Sequence, residues 1–396
     1  MTFAFCANSE ISMMSFAKLF SRMWPPVARA RGLTACSCAV WAMAWASVNL
    51  EAAGPVRAKN VFLVTTDGLR WQELFEGAER PLIDAEVGRV KNTNQVLKAF
   101  WRETETARRE ALLPFFWGTL APRGQVWGNP KRQSHVRVTN GHNFSYPGYN
   151  EFLTGAPDSR IDSNDAKPNP NLNVFQWLNT QPGFRGRQFA AVSWGVIPWV
   201  LNAGQTGIPV WSAFPLPPGA KPLPVSAEFQ ELVDRVTPIW GDVSLDTFCA
   251  AVAKKAVRDR KPRAGYIALG ETDDWAHDGR YDLYLESARR FDRFLQEFWE
   301  LLQSMPFYRD QTALIVTTDH GRGSGPVAWK NHGRALPESA ASWIAVMGPG
   351  VPALGERSQQ TATAGQVAAT VAALVGHDFV AASRRAAPPL SLGETR

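Results

Sequence analysis

Carboxylate and imidazole side chains follow three apolar segments of this sequence. The segments are "NVFLVTT", "AGYIALG" and "TALIVTT"; five of the side chains follow within seven residues of a segment's end, and His332 comes a little later in "KNHG". The six residues are Asp67, Asp273, His277, Asp319, His320 and His332. Taken singly, each has an ordinary structural explanation as a cap, a turn residue or a same-face helix pair. Together they supply enough nitrogen and oxygen ligands for two divalent ions, with Zn²⁺ favoured and Mn²⁺ also compatible.

A site with two such ions clamps the attacking and leaving oxygens of a displacement at phosphorus, and it also activates a hydroxyl nucleophile. Ser145, within "TNGHNFSYPGYNEFLTG", is the hydroxyl residue that the pattern favours. In isolation Ser145 could equally be a turn residue bonded to its own backbone. The sequence therefore predicts a nucleophile only if Ser145 lies beside the six ligands.

Five apolar, β-branched segments indicate buried strands, and these must position the six residues. The segments are 60–66, 187–194, 264–270, 312–318 and 342–348. Helical periodicity between them is clearest over 281–305, and a second helix is expected near the end with Thr363 as its N-cap. This alternation predicts an α/β fold with a mainly parallel central sheet flanked by helices on both faces. Since the carboxyl ends of parallel strands meet at one edge, we expect the six residues there.

The first 53 residues differ in composition from the rest. A basic stretch precedes the nearly uncharged run "LTACSCAVWAMAWASVNL", which indicates a secretory signal peptide or, alternatively, an N-terminal anchor. Residues 54–396 are predicted to form a single catalytic domain with a lid insertion around 195–260, where the chain is Pro-rich. Cleavage would leave only Cys249, and the expected location is periplasmic or secreted, without stable membrane association after cleavage.

The net charge of +6 is modest for a chain of 396 residues. It mildly favours a small anionic substrate, and the sequence contains no nucleic-acid-binding motif or stripe of basic residues.

The combined motifs resemble the alkaline phosphatase superfamily, and in particular its nucleotide pyrophosphatase/phosphodiesterase branch. The resemblance covers about 60–155 and 264–350 and is carried by "TTDG", "ETDDWAH", "TTDHGRG" and "NHG". It implies that Ser145 is the nucleophile, in place of the family's Thr, and that Asn164 hydrogen-bonds a phosphoryl oxygen. It also implies the ligands of two metal ions, with Asp274 a less favoured substitute for Asp273. Asp273, His277 and His332 would hold the ion that activates the hydrolytic water, and Asp67, Asp319 and His320 would hold the ion that activates Ser145.

The resulting hypothesis is an exported two-metal phosphoester hydrolase, a phosphatase or phosphodiesterase, with a phospho-serine intermediate. "SYPGY" has no Arg at its fifth position, which disfavours the sulfatase route through a converted residue. The segment 195–260 is small for the cap domain of a phosphomutase. A non-catalytic binding protein stabilised by metals is the alternative outside the enzymes.

Overall fold

The central sheet of the protein is built on the apolar segments that the sequence marks as strands. The computed structural model describes residues 57–393, and the predicted signal peptide or anchor over 1–53 lies outside the described residues. The strands of the described range are β1 (Asn60–Thr66), β2 (Gly124–Trp127), β3 (His135–Arg137), β4 (Gln188–Val192), β5 (Pro209–Trp211), β6 (Lys221–Pro222), β7 (Ala264–Leu269), β8 (Thr312–Thr317), β9 (Ala341–Ser342), β10 (Ile344–Met347), β11 (Gly355–Glu356) and β12 (Thr361–Thr363).

The helices alternate with these strands along the chain. Within 57–393 they are α1 (Trp71–Glu76), α2 (Thr93–Phe100), α3 (Glu105–Leu112), α4 (Ala121–Arg123), α5 (Ser145–Thr154), α6 (Val174–Leu178), α7 (Ile197–Val200), α8 (Ala203–Thr206), α9 (Ala227–Arg235), α10 (Asp246–Arg260), α11 (Glu271–His277), α12 (Tyr281–Ser304), α13 (Gly325–Ala328), α14 (Gln366–Leu374) and α15 (Phe379–Ala382). Short 3₁₀ or π turns lie at Arg80–Leu82, Phe116–Leu120, Pro130–Arg132 and Pro337–Ala340.

Across the described residues, nine strands form one sheet in the order β11-β2-β10-β8-β1-β7-β4-β5-β6. The central strands β8, β1, β7 and β4 are parallel, and β10 runs antiparallel to both of its neighbours. A second sheet has the order β12-β3-β9. The predicted α/β fold with a mainly parallel sheet is therefore confirmed.

Helices cover both faces of the sheet. In β1, Phe62 and Val64 pack on one face with α12, while Val61 and Leu63 pack on the other with α5 and α14. Because both faces are buried, the strand needs apolar residues at every position and not only at alternate ones. This is why the central strands were recognisable as continuous apolar segments.

The predicted helix over 281–305 is confirmed as α12, with its apolar stripe buried against the sheet. The prediction of Thr363 as the N-cap of the last long helix is wrong. Thr363 ends β12, and Gly365 occupies the N-cap position of α14. The backbone N–H of Thr363 instead donates to Gln366 Oε1 at 3.1 Å, so the side chain of the first helical residue satisfies it.

Residues 195–260, predicted as an insertion or lid, mostly extend the sheet and its helical layer. The segment supplies β5 and the edge strand β6, and α10 packs against the sheet beside β4 and β7. The stretch 242–244 turns back along the carboxyl end of β4, where Val243 pairs with Trp194. Within 57–393, none of the helices combines the length and the apolar character that a membrane crossing requires.

Candidate active site

The carboxyl ends of β1, β7 and β8 lie side by side at one edge of the sheet. Thr66 of β1 pairs with Leu269 of β7, and Thr65 pairs with Thr317 of β8. Asp67 follows β1 directly, α11 with Asp273 begins two residues after β7 ends, and Asp319 comes two residues after β8. The parallel register thus brings all three carboxylates to one place, as the strand pattern predicts.

Asp67, Asp319 and His320 form a buried cluster that we call the inner group. Their ligand atoms lie within 4.8 Å of one another. His320 Nε2 is 3.3 Å from Asp67 Oδ1 and 3.3 Å from Asp319 Oδ2. His320 Nδ1 lies 2.9 Å from the carbonyl oxygen of Gly321, to which it can only donate. The lone pair of the neutral ring is therefore on Nε2 and faces the two carboxylates.

The remaining oxygens of the inner carboxylates are fixed by hydrogen bonds. Tyr149 Oη donates to Asp67 Oδ2 at 2.9 Å, and the Gly68 N–H donates to Asp319 Oδ1 at 3.1 Å. Asp67 Oδ1 and Asp319 Oδ2 are buried and accept no hydrogen bond from the described residues. These two unpaired oxygens face His320 Nε2, so the inner group offers three convergent ligand atoms and fits a divalent cation.

The electrostatics of the inner group indicate an excess of negative charge. Burial raises the pKa of Asp67, and the charge of Asp273 raises it further. Burial and the charge of Asp67 raise the pKa of Asp319 well above its ordinary value. Burial alone would lower the pKa of His320, but the charges of Asp319 and Asp67 raise it to about 9. A bound cation would relieve all three shifts, since it stabilises the charged carboxylates directly.

Asp273, His277 and His332 form a second cluster, the outer group. His277 Nε2 lies 3.1 Å from Asp273 Oδ2 and 2.9 Å from His332 Nε2, and His332 Nε2 lies 3.6 Å from Asp273 Oδ1. The His332 ring also stacks on His320 with 4.0 Å between ring centroids. Burial and the charge of His320 lower the pKa of His332 to about 2, which keeps the imidazole neutral and able to bind a metal.

The two groups adjoin each other through His320. The ligand atoms of Asp273, His320 and His332 also lie within 4.8 Å of one another. The structure thus brings together all six residues that the sequence singles out as metal ligands. Their division between two ions remains the assignment that the family resemblance implies.

Arg322 is a residue of the site that the sequence reading missed. Its buried guanidinium contacts Asp273 Oδ1 through Nη1, and its Nε donates to the carbonyl oxygen of Trp329 at 3.0 Å. Burial opposes ionisation of Asp273, but the charge of Arg322 holds the pKa of its carboxyl well below the ordinary value. Arg322 therefore orients the carboxylate of Asp273 from behind. Only its place two residues after His320 could have drawn attention to it.

Ser145 is the first residue of α5, and its hydroxyl points towards the inner group. Ser145 Oγ lies 3.4 Å from His320 Nε2 and is 5% exposed. Gly148 permits this approach, because a Cβ at that position would lie 2.4 Å from the carbonyl oxygen of Asp319. Glu151 anchors the loop before the helix by accepting from the N–H groups of Thr139 and Asn140. The site thus places Ser145 at a helix N-terminus, which favours an anion bound there.

Tyr149 lies one turn after Ser145 on the same face of α5, which explains how it reaches Asp67. In the sequence, position 149 was notable only because it lacks the Arg that the sulfatase route requires at the fifth position of "SYPGY". In the structure it carries a hydroxyl that fixes an inner carboxylate. The spacing of four residues from Ser145 was the signal that could have identified it.

Asn164 lies at the mouth of the same cleft as Ser145. Its Oδ1 accepts a hydrogen bond from the backbone N–H of Tyr146 at 2.9 Å. This contact fixes the amide so that its Nδ2 group is free to donate to a ligand in the cleft. The geometry is compatible with the phosphoryl contact that the resemblance implies.

A cleft of about 300 Å³ opens over both groups. Its lining residues are Asp67, Ser145, Asn164, Trp194, Asp242, Val243, Gly270, Asp273, Asp274, His277 and His332. Among these described residues there are four carboxylates and neither a Lys nor an Arg. Burial and the charges of Asp273 and Asp67 raise the pKa of Asp274 to about 9. Asp274 is therefore protonated at neutral pH, and Asp242 and Trp194 supply the acidic and aromatic part of the lining beside the metal ligands.

Comparison with known proteins identifies the family of this chain. A family model described as "Type I phosphodiesterase / nucleotide pyrophosphatase" matches residues 90–386, which include every candidate site residue except Asp67. Among proteins of curated function, none matches this sequence.

Several solved structures are similar to this one at low sequence identity. A 2-O GAG sulfatase has a TM-score of 0.50 and 11% identity, and the match covers 84% of this chain and 73% of that one. Murine ectonucleotide pyrophosphatase/phosphodiesterase 5, inactive and in complex with AMP, has a TM-score of 0.49 and 15% identity, with coverages of 84% and 97%. The phosphonate monoester hydrolase of Agrobacterium radiobacter has a TM-score of 0.48 and 12% identity, with coverages of 80% and 74%. Because the family model matches well over half of the sequence, the chain belongs to the type I phosphodiesterase/nucleotide pyrophosphatase family.

Proposed function

We propose that the protein is an exported two-metal phosphodiester hydrolase that acts through a phospho-serine intermediate on Ser145. Family membership supports hydrolysis of a phosphoester or a sulfate ester. The observation that carries the finer proposal is the position of Ser145 Oγ, 3.4 Å from His320 Nε2 and at the first residue of a buried helix. This is where a hydroxyl must lie to attack a phosphorus atom held at the inner group.

The inner and outer groups would each hold one divalent cation, which we propose to be Zn²⁺ because the ligands are imidazoles and carboxylates. Bound cations would supply positive charge that lowers the pKa of the Ser145 hydroxyl and neutralises the oxygens of the substrate phosphate. Tyr149 and the Gly68 N–H keep the inner carboxylates in place, and Arg322 does the same for Asp273.

In the first step, Ser145 Oγ forms a bond to phosphorus while the bond from phosphorus to the leaving ester oxygen breaks. The proton of Ser145 passes to solvent, and the leaving oxygen takes a proton from solvent. Asn164 Nδ2 donates to a phosphoryl oxygen, and the N-terminus of α5 stabilises the negative charge on the phospho-serine.

In the second step, water attacks phosphorus and the bond to Ser145 Oγ breaks. Ser145 regains a proton, and the product leaves as a phosphate monoester. The outer group supports this step, because its His277 is 41% exposed and solvent reaches it directly.

The charge of the cleft favours a diester over a monoester. A monoester carries up to two negative charges, and a clamp for the second charge ordinarily uses Arg or Lys. The described lining residues include neither, and the Asp242 carboxylate lines the cleft beside the metal ligands. A phosphodiester has one negative charge and two ester groups, so it meets less repulsion at this wall.

The substrate class is tested by assaying the purified, Zn²⁺-loaded protein on bis(p-nitrophenyl) phosphate, p-nitrophenyl phosphate and p-nitrophenyl sulfate. We expect kcat/KM for the diester to exceed that for the monoester by at least about tenfold. Preference for the monoester would contradict the argument from charge. Turnover of the sulfate ester alone would contradict the phosphoester assignment, and bound metal without any turnover would favour the binding-protein alternative.

Export to the periplasm or medium is also a proposal, and it rests on the composition of residues 1–53. We expect the mature protein to be a secreted or periplasmic form without stable membrane association. Fractionation of cells that express the full-length chain, followed by N-terminal sequencing of the product, tests this. Recovery of the uncleaved chain in the membrane fraction would support the anchor alternative.

A further inference from the structure

A second cleft, lined mostly by apolar side chains, adjoins the catalytic cleft. It has a volume of about 190 Å³, and we call it the apolar cleft. Its lining residues are Ala213, Phe214, Val233, Asp234, Val236, Thr237, Pro238, Ile239, Trp240, Val243, Ser244, Leu245 and Phe248. All of them come from the segment 195–260, which the catalytic groups use only through Asp242 and Val243.

Val243 is the shared wall of the two clefts, since it lines both. Its position is fixed by backbone contacts just beyond the end of β4. The Gly195 N–H donates to the carbonyl oxygen of Asp242 at 2.8 Å, and the Ser244 N–H donates to that of Ser193 at 3.0 Å. Trp194 Nε1 also donates to Asp242 Oδ2 at 2.8 Å. These contacts attach the wall to the end of the sheet, and Val243 borders both clefts.

The rim of the apolar cleft exposes large apolar side chains. Ile239 is 51% exposed and lines the cleft, and the neighbouring Leu232 is 54% exposed. Trp240, also in the lining, packs edge-to-face on Trp275 with 4.7 Å between ring centroids. Exposed apolar side chains at the rim of a cleft that adjoins a catalytic centre are typical of a ligand subsite.

We propose that the apolar cleft binds an uncharged aryl or alkyl ester group of the phosphodiester substrate, while its phosphorus lies at Ser145. This inference rests on the proposed function. The volume slightly exceeds the ~150 Å³ of an apolar cavity that holds benzene, so a ring or a short chain fits. Asp242 in the adjoining wall and Asp234 in the apolar cleft repel any ester group that carries further negative charge.

Dimethyl, dibutyl and dihexyl phosphate are suitable probes, because their two ester groups are identical and either can enter the apolar cleft. Calorimetric titration of the Zn²⁺-loaded protein measures their dissociation constants without any need for turnover. Each methylene group that becomes buried should tighten binding by about three- to fourfold. We therefore expect dihexyl phosphate to bind at least about tenfold more tightly than dimethyl phosphate.

Ala213→Trp fills the apolar cleft. It should abolish the gain in affinity with chain length and leave the dissociation constant of dimethyl phosphate unchanged. Ala85→Trp, at an exposed position outside both clefts, is the matched control and should keep the gain. Ile239→Ser changes an exposed position at the rim, so this variant should fold even if Ala213→Trp does not. It should partly reduce the gain in affinity with chain length.

Equal dissociation constants for the three phosphates, or a chain-length gain that persists in Ala213→Trp, would overturn the inference. A chain-length gain in a protein that hydrolyses no phosphoester would refute the proposed function and leave the apolar subsite standing. Turnover of diesters without any gain in affinity with chain length would refute the apolar subsite and leave the proposed function standing.

Discussion

The inner and outer groups use the same types of side chain, but they differ in burial and in the elements that carry them. Asp67 and Asp319 follow the central strands β1 and β8, and the inner group is almost completely buried. His277 lies at the end of α11 with 41% of its side chain exposed, and His332 lies in the loop after α13. The sheet therefore fixes the inner group, whereas the outer group faces the cleft. We expect the outer ion to exchange more readily than the inner one.

The largest effect should come from His320, because its ligand atom lies close to both groups. We expect His320→Ala to lower the content of both metals and to reduce kcat/KM for a diester by on the order of 10⁴-fold. Metal analysis after gel filtration and steady-state kinetics measure the two effects. Retention of both ions with near-normal turnover would exclude His320 as a ligand.

Loss of a ligand from the outer group alone should lower kcat/KM less than loss of His320 does. We expect His277→Ala to retain about one ion per chain and to reduce kcat/KM by on the order of a hundredfold, because the inner group and Ser145 stay intact. The readouts are metal stoichiometry and kcat/KM in the presence of added Zn²⁺. Loss of both ions in this variant would show that the two groups do not bind independently, contrary to the difference in burial described above.

A smaller effect should follow from removing one hydrogen bond behind the inner group. Tyr149→Phe deletes the hydroxyl that donates to Asp67 Oδ2. It should lower the affinity of the inner group for its ion by about tenfold, as loss of such supporting contacts ordinarily does. Competition with a chromophoric chelator measures this affinity. Tyr308→Phe is the matched control, because it removes a buried hydroxyl that donates to the carbonyl oxygen of Pro262, away from the site. Equal metal affinity in both variants would mean that Tyr149 does not support Asp67.

The sequence predicted the parts of the fold that depend on local pattern. The central strands were recognisable because both of their faces are buried, and α12 because its stripe has helical spacing. Strands such as β2 and β5 were missed, since they are three or four residues long and include Gly124 or Pro209. Such short outer strands form because the neighbouring strand is already in place, and their own residues give little signal.

For the site, the sequence predicted residues that lie next to strand ends but not the residues that support them. Asp67 and Asp319 could be placed at one edge because parallel strands end there. Arg322 reaches Asp273 across 49 residues of chain, and no local pattern encodes that contact. The apolar cleft likewise depends on how the 195–260 segment folds back on β4.

The central claim is that Ser145 becomes covalently phosphorylated during turnover. The most direct measurement is mass spectrometry of the Ser145 peptide after rapid acid quench of the Zn²⁺-loaded protein with bis(p-nitrophenyl) phosphate. The account predicts a nitrophenyl phosphoryl group on Ser145, and Ser145→Ala should bind both ions without turnover. Full turnover by Ser145→Ala, or steady turnover with no adduct and no burst of nitrophenol, would contradict it.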